Sequence, residues 1–333
     1  MGANPGPWSR LVLLLSTQEG AASMALFRVF TGLTLVLNVV SLWGGGTLRL
    51  LTDAQYGGYR SLAPDHWLAV ALGGATPSSA LLLSGLSLLG GALMVVGLGG
   101  RFGVLIAWQA TMALFSLNAD ASGGHDRVLT NALFLLLLSP STRTLSLDCR
   151  IRRGQWHDAA ARISAWPRWV GIYQLLLIYG TTGIQKLGAE WLPMGDLLAL
   201  YYSFFLPSWQ RFDLAFIAGR PFIWLTQAST ALTWLFETGS PLLLGWFYLR
   251  WTQDRGGRLR RWLLRFDLRR LYALVGLGLH LGIWATMNVG PFSPAMLAWY
   301  FCLWRPDEIE AAPARWGIRA RRAPAAGQGA ASR

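Results

Sequence analysis

The sequence contains a single lysine, Lys186, among its 29 lysines and arginines. Arginine stays protonated, whereas a desolvated lysine can lose its proton and act as a general base. The structural alternative is that Lys186 extends to a membrane surface and pairs with Glu190, four residues further on. At 100° per residue, a helix over 169–188 and its continuation would place five residues on one face, which are Tyr179, Thr182, Gly183, Lys186 and Glu190.

Three more ionisable residues stand in or beside apolar stretches. Glu237 and His280 lie within two different apolar segments, and His125 stands in the polar stretch 118–127. An ionisable group at membrane depth costs about 2.5–3.5 kcal/mol, so each one needs a partner or a function. His125 could act as an acid or a base, or this stretch could be an exposed loop in which Asp126 caps the next helix. Glu237 could equally form a structural pair, and His280 a satisfied contact between helices.

The composition indicates the class of protein that holds these groups. Of 333 residues, 53% are hydrophobic and 14% are charged, against about 25% charged residues in soluble domains. The apolar residues fall in blocks of roughly 17–25, the length that crosses a bilayer core of about 30 Å. The net charge of +13 does not indicate nucleic-acid binding, because the arginines lie between the apolar blocks and in the C-terminal tail. We therefore predict a protein of the lipid bilayer with no nucleic-acid partner.

These blocks predict an all-α fold, a polytopic transmembrane helical bundle of about eight spans with interfacial or re-entrant helices. The sixth span is expected to break near 238–241, where Thr-Gly-Ser-Pro interrupts it, and the fourth and eighth spans are short. The predicted spans are 24–43, 78–98, 102–118, 128–139, 169–188, 222–249, 271–288 and 292–304.

The arginines between the spans predict the orientation of the chain. With the N-terminus in the cytoplasm, most arginines fall on the inner side, as the positive-inside rule requires, and both termini are cytoplasmic. Lys186 and the stretch that carries His125 then lie at the same, outer face. The outer segments hold five arginines, which are Arg49, Arg60, Arg127, Arg211 and Arg220.

The predicted organisation has three parts. They are a cytoplasmic N-terminal segment at 1–23, the transmembrane domain at 24–305 and a disordered cytoplasmic tail at 306–333. Segment 139–167 is expected to lie along the inner membrane surface, and the aromatic segment 191–209 to cover the outer face.

Several chemistries are excluded by the motifs. The sequence has no phosphate-binding P-loop, no dinucleotide fingerprint and no His-Glu-x-x-His motif. The four histidines are scattered and the two cysteines, Cys149 and Cys302, lie far apart, so we predict no metal site.

The segment around Lys186 resembles a known family. Residues 179–191, with Gly195 following, resemble the Gly-x-x-Lys-Leu-x-x-x-Trp pattern of the vitamin K-dependent gamma-carboxylase-like family, also called the HTTM (horizontally transferred transmembrane) family. The resemblance extends in order from about residue 24 to 305. The other matching stretches are 27–32, 118–148, 233–241 and 280–292.

The resemblance implies a function for these residues. Lys186 matches the carboxylase base that deprotonates reduced vitamin K, which then reacts with oxygen and allows carbon dioxide to add to a glutamate side chain. It implies a catalytic pair of Lys186 and His125, a reduced quinone as cofactor (vitamin K- or menaquinol-like), carbon dioxide and oxygen as co-substrates, and a secreted peptide or protein as substrate. The site would be in a bacterial cytoplasmic membrane. The expected cofactor-binding residues are Tyr179, Thr182, Gly183, Trp191, Glu237 and His280.

The chain departs from the carboxylase in two respects. Gln185 stands where the carboxylase has a second lysine, and the large lumenal domain that engages the protein substrate has no counterpart in this sequence. Two other functions therefore stay open. One is a non-catalytic membrane scaffold for the maturation or export of a secreted peptide. The other is a proton-coupled transporter that uses Glu237 and His280 as a relay.

Overall fold

A computed structural model describes residues 6–53, 64–118, 121 and 123–315 of the chain. This part is mostly helical, which confirms the all-α fold. Its first seven helices are α1 (Pro7–Ser16), α2 (Ala22–Gly44), α3 (Trp67–Ala71), α4 (Pro77–Val96), α5 (Gly100–Ser116), α6 (Gly124–Leu138) and α7 (Leu147–Arg153). The others are α8 (Trp166–Gln185), α9 (Ala199–Phe205), α10 (Arg220–Thr238), α11 (Ser240–Trp251), α12 (Arg258–Leu263), α13 (Leu268–Thr286), α14 (Phe292–Ala298) and α15 (Pro306–Arg315).

Two short strands and four short 3-10 turns complete the described structure. Strands β1 (Gln18–Gly20) and β2 (Arg162–Ser164) pair antiparallel, with Glu19 opposite Ile163. This pairing joins the N-terminal segment to the residues that enter α8. The 3-10 turns are Thr47–Leu51, Ala215–Ile217, Gln253–Arg255 and Trp299–Leu303.

Local sequence explains where several helices begin and end. Proline stands in the first turn of α1, α4, α8, α10 and α11, where its missing N–H costs nothing and its fixed φ favours the helix. Thr76 caps α4 by accepting a hydrogen bond from the Ser79 backbone. The same helix stops at Gly97, whose φ of 69° is in the left-handed region that favours glycine.

Helices α2, α4 and α5 pack closely through small residues. A side chain on Gly32 would lie 2.8 Å from the Gly91 carbonyl oxygen, and one on Gly90 would lie 2.6 Å from the backbone of Ala107. Between α4 and α5, the hydroxyls of Ser87 and Thr111 form a 2.6 Å hydrogen bond. Small residues and hydroxyl bonds at close helix contacts are typical of helices in membranes, where lipid is as apolar as the side chains.

Two of the described helices, α2 and α4, are long and apolar enough to cross a membrane. Helix α6 has 15 residues, and the predicted eighth span comprises α14 and the 3-10 turn Trp299–Leu303. Both are shorter than the roughly 20 residues that a perpendicular crossing needs. The predicted sixth span is two helices, α10 and α11, which meet at Gly239. The break near 238–241 is therefore confirmed.

Two further predictions need correction. Helix α8 ends at Gln185, so Lys186 follows the helix instead of lying within it. The predicted disordered tail at 306–333 is helical over Pro306–Arg315, because Glu308 in this helix accepts hydrogen bonds from both terminal nitrogens of Arg269. Residues 316–333 lie outside the described part of the chain.

Candidate functional site

Lys186 occupies the C-cap position of α8, with φ −82° and ψ 76°. The chain turns there, and the backbone N–H of Trp191 donates to the carbonyl of Gly188. Because the helix has already ended, Glu190 does not continue the face that carries Tyr179 and Gly183. The prediction that Lys186 and Glu190 share a helix face is therefore wrong.

The ammonium group of Lys186 instead pairs with a carboxylate from another helix. Its Nζ donates to Oε2 of Glu237 near the end of α10. The side chains of these two residues are only 17% and 11% exposed. The same Nζ lies 4.2 Å from the ring centroid of Trp191, a cation–π contact. Lys186, Glu237 and Trp191, three of the predicted site residues, therefore meet in one place.

Gly183 is the residue that lets the two helices come this close. A Cβ on Gly183 would lie 2.7 Å from the backbone nitrogen of Thr238 and 2.8 Å from Cβ of Glu237. Real Cβ atoms do not come so near to backbone, so a glycine is required if α10 is to keep this position. The close approach that the sequence indicates at Gly183 is thus made by α10.

Thr182 lies away from the ion pair. Its side chain is exposed, and its hydroxyl donates to the Ile178 carbonyl one turn earlier at 2.6 Å. This bond to its own helix satisfies the hydroxyl. The structure therefore places Thr182 outside the group of buried polar residues, although it stays a predicted cofactor contact.

A second group of buried polar side chains surrounds Tyr179, which lies about two helical turns before Lys186. Its hydroxyl is 2.5 Å from Nε2 of His280 on α13 and 2.9 Å from the hydroxyl of Tyr300. All three side chains are buried. Gly276 on α13 provides the space for the Tyr300 hydroxyl, which a Cβ at that position would overlap. Tyr300 was not predicted from the sequence, where it is one aromatic residue among many near the C-terminus.

One ring nitrogen of His280 has no hydrogen-bond partner among the described residues. If Tyr179 donates to Nε2, the neutral ring carries its proton on Nδ1, and if Nε2 donates, Nδ1 is an acceptor. In either tautomer Nδ1 needs a partner, yet it is buried and makes no hydrogen bond among the described residues. The ring lies beside Phe292, with centroids 5.8 Å apart. An orphan polar atom of this kind is a candidate contact for a ligand.

His125 stands at the start of α6, close to the opposite side of this cluster. Its Nε2 is 3.1 Å from Oδ1 of Asp126, and Phe115 packs edge-on against its ring. A side chain on the preceding residue, Gly124, would contact Phe292 at 3.5 Å. Phe292 thus lies between the segment of His125 and His280. No hydrogen bond joins His125 to Lys186 in the described part of the chain.

The predicted capping role of Asp126 is confirmed, since its Oδ2 accepts a hydrogen bond from the Gly123 backbone at 2.9 Å. This bond fixes the first turn of α6 and with it the position of His125. Residues 119, 120 and 122 of the same stretch lie outside the described residues.

At its other end, α8 carries a second buried ion pair. Arg168 donates from Nε and from a terminal nitrogen to the two carboxylate oxygens of Glu19, both at 2.8 Å. Such bidentate pairs are the strongest geometry for arginine. Eighteen residues of helix, about 27 Å at 1.5 Å per residue, therefore separate Arg168 from Lys186.

Comparison with known proteins assigns the chain to a family. Residues 17–236 match the model of the HTTM domain, which covers about two thirds of the chain and includes Lys186. No curated protein matches the chain, and no solved structure does. The family and the two apolar helices α2 and α4 together indicate a membrane protein. This chain belongs to the HTTM domain family.

Proposed function

We propose that this protein is a membrane-embedded enzyme that uses Lys186 as a general base on a quinol-like cofactor at an outward-facing site. We further propose that it modifies a secreted peptide or protein. The observation that carries the proposal is the ion pair of the chain's single lysine with Glu237 beneath Trp191. The resemblance of the chain to the gamma-carboxylase-like members of the family supports a quinol as the class of cofactor.

The proposed topology is a bundle of about eight spans with both termini in the cytoplasm. Helix α8 supports this topology because a charged pair stands at each of its ends, Arg168 with Glu19 and Lys186 with Glu237. The separation of about 27 Å matches a hydrocarbon core of about 30 Å. Each pair then lies near one membrane surface, where the cost of a charge falls steeply.

The pair with Glu237 gives the lysine a way to become a base. In a poorly solvated site, an ammonium and a carboxylate can exchange one proton and become a neutral amine and a neutral acid, which avoids the cost of two buried charges. The neutral amine can then take a proton from an acidic hydroxyl of a ligand. The ammonium that results pairs with the ligand oxyanion, while Glu237 keeps the proton that it took from the lysine.

The residues around the pair fit an aromatic ligand that carries oxygen. Phe236 stacks on Tyr272 with ring centroids 4.2 Å apart, and the Trp191 ring covers the lysine. The orphan Nδ1 of His280 is a site for a ligand oxygen. A reduced quinone would supply the acidic hydroxyl and, with oxygen, the strong base that glutamate carboxylation by carbon dioxide needs. In this proposal His125 assists proton transfer, and Tyr179 orients His280.

The test compares wild type with Lys186→Ala and Lys186→Arg, each purified in mild detergent. Bound quinones are extracted and identified by mass spectrometry, and oxygen uptake with menaquinol and bicarbonate is recorded. We expect a quinone in the wild type and loss of oxygen uptake in both variants, because arginine keeps the charge but cannot give up its proton.

Three outcomes would overturn the proposal. Full oxygen uptake by Lys186→Arg would remove the base mechanism. Finding no quinone in any preparation, together with no oxygen uptake, would favour the non-catalytic scaffold. Proton-coupled uptake into vesicles that is lost in Glu237→Gln would favour the transporter instead.

A further inference from the structure

A cavity of about 520 Å³ lies at the end of the bundle opposite to Lys186. It is enclosed by the turn after α1, strand β1, the start of α8, the end of α11 and the start of α15. Neither Lys186 nor Glu237 lines it. The mechanism proposed above makes no use of this cavity.

Arginines dominate the polar wall of the cavity, and two of them form no ion pair among the described residues. Arg168 is neutralised by Glu19, and Arg269 by Asp267 and Glu308. In contrast, Arg162 and Arg250, which both line the cavity, form no ion pair with a carboxylate of the described chain, although Arg250 is near enough to Glu308 to help lower the pKa of that carboxyl.

The two arginines are nevertheless held in place. A terminal nitrogen of Arg162 donates to the carbonyls of Ala159 and Ala161 at 2.7 and 3.2 Å. The guanidinium of Arg250 lies 5.4 Å from the ring centroid of Trp246. Besides Glu19, the acidic side chains that line the cavity are Asp307, which pairs with Arg305, and Glu310.

Part of the remaining wall is apolar. Leu14, Trp169, Phe247 and Trp251 line the cavity, and Trp251 is 36% exposed. Helix α1, which ends beside the cavity, exposes four large apolar side chains: Trp8 at 74%, Leu11 at 42%, Val12 at 47% and Leu13 at 64%. A short helix with this pattern is typical of the membrane interface. The cavity thus has a cationic part next to apolar surface at an arginine-rich end of the molecule.

We propose that this cavity binds the phosphate of an anionic membrane phospholipid between Arg162 and Arg250, with the upper part of an acyl chain against Phe247 and Trp251. Two guanidinium groups can donate hydrogen bonds to the oxygens of a phosphate. The apolar wall distinguishes a lipid from a soluble phosphate ester, which has nothing to place there. This site is independent of the chemistry proposed for Lys186.

The test measures lipid binding to the purified full-length protein by native mass spectrometry. The probes are palmitoyl-oleoyl phosphatidylglycerol, the phosphatidylcholine with the same chains, and soluble glycerol 3-phosphate as a competitor. The test variant is Arg162→Gln with Arg250→Gln. The matched control is Arg258→Gln with Arg261→Gln on α12, which removes the same charge from exposed positions outside the cavity.

We expect the test variant to bind phosphatidylglycerol about 25-fold more weakly, since each arginine near an anionic headgroup contributes about five-fold. The control should bind like wild type, and phosphatidylcholine should bind weakly to all. Arg162 and Arg250 are both exposed, so thermal unfolding without lipid should not change between variants.

Equal losses in the test and control variants would overturn the proposal, because binding would then reflect general attraction to the basic end. Displacement of the lipid by glycerol 3-phosphate at similar concentration would also overturn it, since the ligand would then be a soluble phosphate ester.

Discussion

Nζ of Lys186, just beyond the end of α8, donates to Oε2 of Glu237 on α10, a residue 51 positions further along the chain. The only lysine of the protein is therefore held by a carboxylate that becomes its neighbour only when the two helices pack. This arrangement makes the state of one amine depend on the contact between α8 and α10.

The first prediction concerns the reactivity of this amine. Because the chain has one lysine, an amine-specific ester labels only Lys186 and the N-terminus, which peptide mass mapping separates. Replacing Glu237 with glutamine removes the charge that stabilises the ammonium. We expect Lys186 in Glu237→Gln to be labelled several-fold faster at neutral pH than in wild type.

Glu190→Gln is the matched control, since Glu190 is the nearby acid that the sequence alone would pair with Lys186 and that the structure places elsewhere. Its labelling rate should equal that of wild type. Faster labelling in Glu190→Gln, with no change in Glu237→Gln, would show that the lysine pairs as the helical spacing suggests and not as the structure shows.

The second prediction concerns the contact at Gly183. Its Cβ would meet backbone atoms of α10 at less than 3.0 Å, and backbone cannot move as cheaply as a flexible side chain. We expect Gly183→Ala to lower the free energy of unfolding in detergent by about 1–3 kcal/mol, as overpacking does. It should also speed labelling of Lys186, because α10 and Glu237 are pushed away.

Gly245→Ala in α11 serves as the control for this substitution. A Cβ there has no atom within 4 Å, so alanine should leave stability unchanged or raise it by up to about 1 kcal/mol through helix propensity. Equal thermal unfolding of the two variants would contradict a tight contact between α8 and α10.

The third prediction concerns Tyr179. The substitution Tyr179→Phe removes the Tyr179 hydroxyl. Nε2 of His280 and the hydroxyl of Tyr300 then lose their shared partner in a buried site. We expect a loss of about 1–3 kcal/mol in the free energy of unfolding, the usual cost of an unsatisfied buried polar group. Tyr173→Phe on the same helix is the control, because Tyr173 is 53% exposed. A similar loss in both would mean that the hydrogen bonds of Tyr179 contribute nothing specific.

Much of the architecture follows from the sequence because it depends on local composition. Apolar length and Pro-Gly signals predict the helical class, the break at Gly239 and the capping of α6 by Asp126. Helical spacing also places Tyr179 and Gly183 on one side of α8. These features depend on neighbours within a few residues, which a sequence shows directly.

The partners of the site residues could not be predicted, because they depend on packing between distant helices. Local spacing favours Glu190 for Lys186, yet the helix ends at Gln185, before either residue, and Glu237 is the partner instead. Tyr300 has no sequence feature that distinguishes it. The role of Gly276 becomes visible only in the structure, where the absence of a side chain leaves room for the Tyr300 hydroxyl. The docking of α15 likewise depends on Arg269, 39 residues before Glu308.

The fourth prediction concerns that docking and its dependence on pH. Partial burial disfavours the charge on Glu308, but hydrogen bonds from Arg269 and from the Arg305 backbone outweigh it and lower the pKa of Glu308 to about 2, from an ordinary 4.5. A carboxyl whose pKa is lowered on folding stabilises the fold fully above its unfolded value. This stabilisation should decline as the pH falls from about 4.5 towards 2.

The measurement compares thermal unfolding of wild type and Glu308→Gln in detergent at several pH values. We expect wild type to be more stable at neutral pH, and the difference between the two to shrink on acidification through this range. A difference that stays constant down to the lowest pH would show that the carboxylate charge of Glu308 does not hold α15.

The pairing of β1 with β2 sets an order for biosynthesis. Gln18 pairs with Ser164, so at about 5–20 residues per second the ribosome needs roughly 7–30 seconds after making β1 before β2 is complete. Gly20 also packs against Pro306 at the start of α15, which is made later still. The arginine-rich end of the bundle is therefore the last part to assemble during translation, and a nascent chain that stalls before β2 leaves its first strand without a partner.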